Sequence, residues 1–261
     1  MAAQPRSALV TGSTGGLGLA VADSLAAAGF NIILHGLDDP AAMQPATQAL
    51  TQRHGIGAVY CRADLADLAA VDRLMQAARD AFGGPDVVVN NAVVRHFAPV
   101  EDLSIDDWQR SLAVNLTAPL RLIQLALPAM RACDFGRIVN LSSQYGQRGA
   151  KGRVDYVTTK TGILGLTRTV ALETAGTGIT CNAVSPGTLP TPAIAKRIEA
   201  LAAARNLSHD DAVRDYMKER QPSGRFVELA DVGAAIVFLC GPAARDITGA
   251  VIPIDGGWSA A

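Results

Sequence analysis

The sequence predicts a doubly wound α/β fold, with one parallel sheet of about seven strands and helices on both faces. Three observations carry that expectation. Short runs of four to six residues are apolar at nearly every position, as strands buried on both faces are. These runs alternate with helix-length segments, as right-handed crossovers between parallel strands require. No linker-like tract, low-complexity stretch or internal repeat interrupts the 261 residues, so residues 1–261 read as a single domain.

Each element follows from its local pattern. Ser7–Val10 is a short apolar strand leading into a helix over Leu17–Ala28, stopped by Gly29. Asn31–His35 is the second strand, followed by an Ala-rich helix over Pro40–Arg53. Ala58–Arg62 is the third strand, and Asp67–Phe82 carries apolar residues at helical spacing. After a strand at Asp86–Val89, a long helical region runs from Asp106 to about Arg131, with a kink expected near Pro119. Arg137–Leu141, a helix over Val154–Thr174, a strand at Ile179–Val184, a helix over Leu229–Leu239 and a strand at Ala250–Ile254 complete the alternation. The rhythm breaks once. Residues 188–226 contain no strand and read as a helical lid insertion, Pro192–Ala204 and Asp210–Arg220, after the C-terminal end of a strand.

Composition narrows the function. Apolar residues at 49% and charged residues at 18% exclude intrinsic disorder. A net charge of −1 argues against a nucleic-acid or anionic-membrane partner. No apolar run approaches the roughly 18 residues of a spanning helix, and Met1–Arg6 is too short and polar for a signal peptide. A cytoplasmic location is expected. Cys61, Cys133, Cys181 and Cys240 lie far apart with no metal-ligand spacing and read as reduced, buried thiols, so no metal is expected. The basic residues are lopsided, nineteen Arg to four Lys, and Arg is the residue of two-pronged anion recognition.

The first strand runs into Thr11-Gly12-Ser13-Thr14-Gly15-Gly16-Leu17-Gly18 and then into a helix. Glycines there let the backbone approach a pyrophosphate whose charge the helix N-terminus holds, the Rossmann-type arrangement. The second strand ends at His35-Gly36-Leu37-Asp38-Asp39, with no Arg or Lys expected within reach of a 2′-phosphate. NAD is therefore favoured over NADP, although Gly36 stands where an acidic ribose ligand is expected. Asp64-Leu65 follows the third strand, where Asp64 either holds the adenine edge or caps the next helix. Tyr156 and Lys160 lie four apart on one helical face. A phenol with pKa about 10 is a poor base at neutral pH, and a nearby ammonium stabilises its phenolate. Ser143 adds a hydroxyl at the end of the fifth strand.

Taken together, Thr11-Gly12-x-x-x-Gly16-x-Gly18, Asp64-Leu65, Asn90-Asn91-Ala92, Asn115, Ser143, Tyr156-x-x-x-Lys160 and Pro186-Gly187 resemble the short-chain dehydrogenase/reductase family in order and spacing. The resemblance implies that Tyr156 is the general acid/base and that Lys160 lowers its pKa and holds the nicotinamide ribose. It implies that Ser143 holds the reacting oxygen and that Asn115 anchors a proton-relaying water. The cofactor would lie against Gly12, Thr14, Gly16, Leu17, Gly18, Gly36, Asp64, Leu65, Asn91, Ala92, Tyr156, Lys160, Pro186 and Gly187, with Thr191 on the nicotinamide amide. Asp255-Gly256-Gly257-Trp258 matches members that form homotetramers. One departure is Val93, where the family has Gly: a β-branched residue resists positive φ and adds bulk near the nicotinamide.

Within the family, His54-Gly55, Ala171–Gly176, Gln221-Pro222-Ser223 and Asp255–Trp258 resemble the (R)-3-hydroxybutyrate dehydrogenases. Those enzymes hold the substrate carboxylate with Gln, His, Lys and Gln, at positions occupied here by Arg95, Tyr145, Arg153 and Arg197. Three guanidiniums suit an anion with more acceptor oxygens, a sulfonate or phosphate. The expectation is an NAD-dependent dehydrogenase for a sulfonated sugar or polyol, with sulfoquinovose oxidised at its anomeric carbon to a lactone as the specific candidate. The alternatives are an (R)-3-hydroxybutyrate or related hydroxy-acid dehydrogenase and a non-catalytic NAD-sensing binder. The binder would be expected to lose Tyr156 or Lys160, and an NADPH-dependent acyl-carrier reductase would need basic residues at Gly15 and Leu37. His96, beside Arg95, is expected to pack at the rim.

Overall fold

The computed structural model describes residues 5–218 and 220–260. Met1–Gln4 of the N-terminal stretch, Glu219 of the lid and Ala261 lie outside the described residues. Seven parallel strands form one sheet in the order β3-β2-β1-β4-β5-β6-β7. They are β1 (Ser7–Val10), β2 (Asn31–Gly36), β3 (Ala58–Arg62), β4 (Val87–Asn90), β5 (Gly136–Leu141), β6 (Ile179–Pro186) and β7 (Val251–Ile254). The order reverses between β1 and β4, and the crevice above their C-terminal ends is where such sheets take ligands.

The strands are apolar throughout because both faces are covered. On one face Ala8, Val10, Leu34, Val89 and Val184 pack against Val21 and Leu25 of α1 (Gly16–Ala27) and Val232 and Ile236 of α9 (Leu229–Cys240). On the other, Leu9, Ile33, Val88 and Ile138 meet Leu74 and Met75 of α3 (Leu68–Phe82) and Leu122, Ile123 and Met130 of α5 (Ala118–Ala132). Alternate residues of β1 thus enter opposite layers. α2 (Pro40–His54) and α6 (Val154–Glu173) complete the crossovers.

The long helical region changes helix type just before Pro119. α4 (Ile105–Leu112) runs without a break through a π-helical turn at Ala113–Thr117 into α5, and Pro119, which has no N–H to give to the preceding turn, follows directly after it. The whole Ile105–Ala132 run is long and apolar enough to cross a membrane by composition alone. Its apolar side is instead the core stripe just described, so it is a core helix. Asp64 does not cap α3: Asp67 does, its carboxylate accepting from Ala69 N at 2.9 Å. The cysteines divide. Cys181 and Cys240 are buried, with burial pushing their thiols up to about 12, whereas Cys61 is half-buried and Cys133 exposed.

The insertion holds α7 (Pro192–Arg205) and α8 (His209–Met217). Its two ends are tied together beneath it. Buried Gln221 accepts from Thr188 N at 2.8 Å and donates to Arg225 O at 2.6 Å, and Val227 N donates to Thr188 O at 3.0 Å. The base of the insertion is thus closed by hydrogen bonds that do not involve α7.

Candidate active site

A cleft of about 430 Å³ opens above β1, β2 and β4, lined by Gly12, Thr14, Leu17, Gly18, Gly36, Asp64, Leu65, Asn91 and Ala92 among others. Its floor is built by close backbone approach. A side chain at Gly18 would run into Gly12 O and the Asn91 amide, which donates to Thr11 O and Gly12 O at 2.9 and 3.0 Å. A side chain at Gly36 would run into the Thr14 methyl. By contrast, nothing would meet one at Gly15 or Gly16, and no side chain caps α1. The N-terminal N–H groups of α1 therefore face open space beside the cleft, the provision a pyrophosphate needs. The chain fits a dinucleotide.

His35 braces this loop from below. Gly12 N donates to His35 Nδ1 at 3.1 Å, and His35 Nε2 faces Ala63 O at 3.0 Å, so Nε2 carries the proton. Burial lowers its pKa and keeps the ring neutral. Asp64 holds Ala66 N at 3.0 Å and pairs with Arg110 of α4 at 3.2 Å. The reading that no basic residue approaches the β2 tip needs correction. Sheet register sets Arg62 beside Gly36, exposed, and its charge is felt at Tyr60 together with those of Asp38 and Asp39. Two carboxylates against one guanidinium, rather than the absence of positive charge, is what a 2′-phosphate would meet.

Val93 does not adopt the left-handed backbone expected to strain it, since the non-glycine residues with positive φ among those described are Asp134 and Asn206. Its side chain is exposed at the cleft and simply narrows it. Asn115, in the π-helical turn, accepts from Val94 N at 2.8 Å and donates to Val94 O at 2.7 Å and Thr159 Oγ1 at 3.1 Å. Both amide hydrogens are committed, so the side chain is a strut. Thr191, as N-cap of α7, accepts from Ile194 N at 3.4 Å and keeps its hydroxyl proton for donation. Gly187 lies against Asp255 and Gln221 at the lid base, following Pro186 at the end of β6.

Lys160 and Tyr156 project from the first turns of α6. The Lys160 ammonium is buried, donates to Leu141 O at 2.5 Å, and sits 5.7 Å from the Tyr156 ring centroid. Burial, with repulsion from Arg95, pushes its pKa down to about 8. Ser143 is buried at the end of β5 and accepts from Tyr145 N at 3.3 Å.

Beyond Ser143, Tyr156 and Lys160 lies an aromatic and basic cluster. Tyr145 meets Tyr156 edge-on at 6.3 Å and Trp258 at 5.8 Å between centroids. Arg153 is held between two rings, 4.3 Å from the Phe97 centroid and 5.4 Å from that of Tyr145. Sequence reasoning missed Phe97 and gave Trp258 only an assembly role; no spacing rule ties either residue to Tyr145. Seven arginines elsewhere pair with carboxylates, at Arg53, Arg73, Arg110, Arg121, Arg205, Arg214 and Arg245. Among the described residues no carboxylate lies within ion-pair distance of Arg95 or Arg153. Arg197 is exposed on α7. Arg153 is the arginine in ring contact with this cluster, and the charge of Arg95 reaches Lys160. No group of potential metal ligands is found among the described residues.

Comparison with known proteins agrees with this geometry. The family model described as enoyl-(acyl carrier protein) reductase matches residues 12–259. The chain is 42% identical over 255 residues to D-beta-hydroxybutyrate dehydrogenase of Cupriavidus necator, covering 98% of each chain. It is 36% identical to the protein of the same name from Rhizobium meliloti, covering 98% of this chain and 99% of that one. The solved structure of L-sorbose reductase from Gluconobacter frateurii, complexed with NADPH and L-sorbose, superposes with a TM-score of 0.90 at 27% identity, covering 97% of this chain and 96% of that one.

Proposed function

The chain belongs to the short-chain dehydrogenase/reductase family, and we propose that it is an NAD-dependent dehydrogenase oxidising a hydroxyl of a small anionic substrate. The observation that carries this reading is the guanidinium of Arg153, against the rings of Phe97 and Tyr145, the latter meeting Tyr156, with no carboxylate within ion-pair distance among the described residues. Tyr156 takes the hydroxyl proton as general base, and the Lys160 ammonium favours the phenolate electrostatically. Ser143 holds the reacting oxygen. Asn115 fixes the backbone of Val94, and a water on the backbone there carries the proton outward. A bound nicotinamide supplies the hydride acceptor. Gly12, Gly16, Leu17, Gly18, Asn91, Lys160 and Thr191 would hold the cofactor.

The hydroxy-acid form of this reading, with 3-hydroxybutyrate as type substrate, is the better supported, because two relatives at 42% and 36% identity bear that name. A sulfonated sugar such as sulfoquinovose is the second form. It is favoured by one observation: none of the carboxylate-holding residue types is kept, and the Arg153 guanidinium lies against Tyr145, which meets Trp258. The reading also takes the enzyme as a cytoplasmic homotetramer, on the resemblance at Asp255–Trp258; sedimentation velocity tests the assembly.

The deciding experiment follows NADH appearance, and separately NADPH appearance, with 3-hydroxybutyrate, glucose, glucose 6-phosphate, sulfoquinovose and dihydroxypropanesulfonate. Turnover of 3-hydroxybutyrate alone establishes the hydroxy-acid form, and turnover confined to sulfonated members establishes the second. Preference for neutral glucose overturns the anionic reading altogether.

A further inference from the structure

The loop from Asn91 to Pro99 crosses the site with no regular secondary structure, yet its backbone is gripped at successive points. Asn91 is tied to the glycine loop, Val94 is held at both its N–H and its carbonyl by Asn115, and Ala98 N donates to Gly152 O at 3.3 Å. The strongest grip is at His96. Asp155, 1% exposed, accepts through Oδ2 from His96 N at 3.0 Å, His96 Nδ1 at 3.0 Å and Ser111 Oγ at 2.7 Å. Its other oxygen accepts from Tyr156 N at 2.6 Å. The far side of the imidazole, Nε2, lies 3.3 Å from Asp107 of α4.

One buried carboxylate therefore fixes two things at once: the backbone of the proton-transferring tyrosine and the loop residue next to Arg95. Arg95 itself stands between two clamped neighbours, Val94 and His96, so only its long side chain is free to move. Its charge reaches Lys160. Burial would push the Asp155 carboxyl up, but the bonds from Ser111, His96 and the Tyr156 backbone outweigh it and hold it below its ordinary value. It stays ionised in the range where the enzyme would work. A neutral residue at 155 would leave these donors without a charged acceptor, in a place water does not reach.

We propose that Asp155 and His96 are positioning residues that hold the Arg95-bearing loop in register with Tyr156, and so set the distance between anion recognition and proton transfer. The inference rests on the anionic-substrate reading for what Arg95 does, but not for the clasp itself.

The test has two arms. Using the panel substrate that wild-type enzyme turns over, His96→Leu should raise KM about tenfold while kcat falls less than about threefold. His96→Asn, which keeps a donor near the Nδ1 position, should recover most of the loss. An unchanged KM in His96→Leu, or equal loss of kcat in both variants, overturns the proposal. The second arm needs no substrate. In Asp155→Asn, amide hydrogen exchange over residues 93–99 should accelerate about tenfold or more, with β4 and β5 unchanged. Unchanged exchange in that loop, or acceleration across the whole chain, overturns it. If no panel member is turned over, the functional reading fails while the exchange arm still decides the clasp.

Discussion

The cofactor end and the substrate end of this site are built from opposite materials. At the cofactor end the surface is backbone: Gly18 and Gly36 leave room for neighbours already in contact, and His35, Asn91 and Asn115 have their side-chain nitrogens bonded to the chain itself. At the proposed substrate end the surface is long side chains from four separate segments, Phe97, Tyr145, Arg153 and Trp258, meeting through ring contacts. The difference teaches where specificity can change cheaply. Gly18 and Gly36 of the backbone cradle tolerate no added atom, whereas a guanidinium on a ring can be exchanged with little cost to the fold.

The junction between the two ends is where the largest effect is expected. Tyr156→Phe keeps the ring that Tyr145 and Lys160 contact and removes only the hydroxyl, so turnover should fall about a thousandfold or more. NAD affinity, measured by calorimetry, should change less than about threefold; retained turnover would falsify the assignment of the base. Lys160→Met should also abolish turnover, yet stabilise the protein. An ammonium whose pKa drops from 10.5 to about 8 carries a cost of about 3 kcal/mol while charged. Between about pH 8 and 10.5 the unfolded chain binds the proton that the folded chain has lost, so wild-type stability rises with pH across that window, and the full cost is present below it. Lys160→Met also frees Leu141 O, worth about 1 kcal/mol. It should therefore gain roughly 1–2 kcal/mol at pH 7 in urea unfolding, shrinking towards pH 10. A loss at pH 7 would mean that the buried charge is better compensated than its surroundings indicate.

The same contrast decides what was legible in the sequence. Strands β1 to β7 and the glycine loop could be read because burial on two faces and close backbone approach leave few residue types to choose from. The β-structure and the Tyr156–Lys160 pair lie where periodicity sets them. The π-helical turn at Asn115 was invisible, since it adds one residue to a helix without changing its composition. Arg62 was missed for another reason: it is 26 positions from Gly36 in sequence and adjacent to it only through β2–β3 register. Arg197 is exposed on α7, within an insertion whose base is tied at Gln221, and sequence spacing does not say which way that helix faces.

The three arginines offer a graded test of that last point. Arg153→Ala removes a guanidinium held by two rings and should raise KM for the charged substrate roughly tenfold to a hundredfold, the range of a lost charge-assisted bond. Arg95→Ala should cost less, and Arg197→Ala within about threefold if the lid stays as described. A KM effect for Arg197→Ala equal to that of Arg153→Ala would show that α7 closes onto the anion and restores the three-arginine pocket.

The smallest effect concerns the nucleotide. At the β2 tip Asp38 and Asp39 oppose a 2′-phosphate and Arg62 attracts it, all three in solvent, where screening limits each interaction to well under about 1 kcal/mol. Asp38→Asn with Asp39→Asn should raise kcat/KM for NADP relative to NAD a few-fold, and Arg62→Ala should lower it by a similar factor. Both shifts should shrink as salt is added. A change of a hundredfold or more from any one of them would mean that the tip closes around the ribose, so that this exposed corner behaves like the backbone cradle and not like the substrate end. A ratio unmoved by all three substitutions would mean that Gly36 and the Thr14 methyl, packed against each other, set the choice by shape alone.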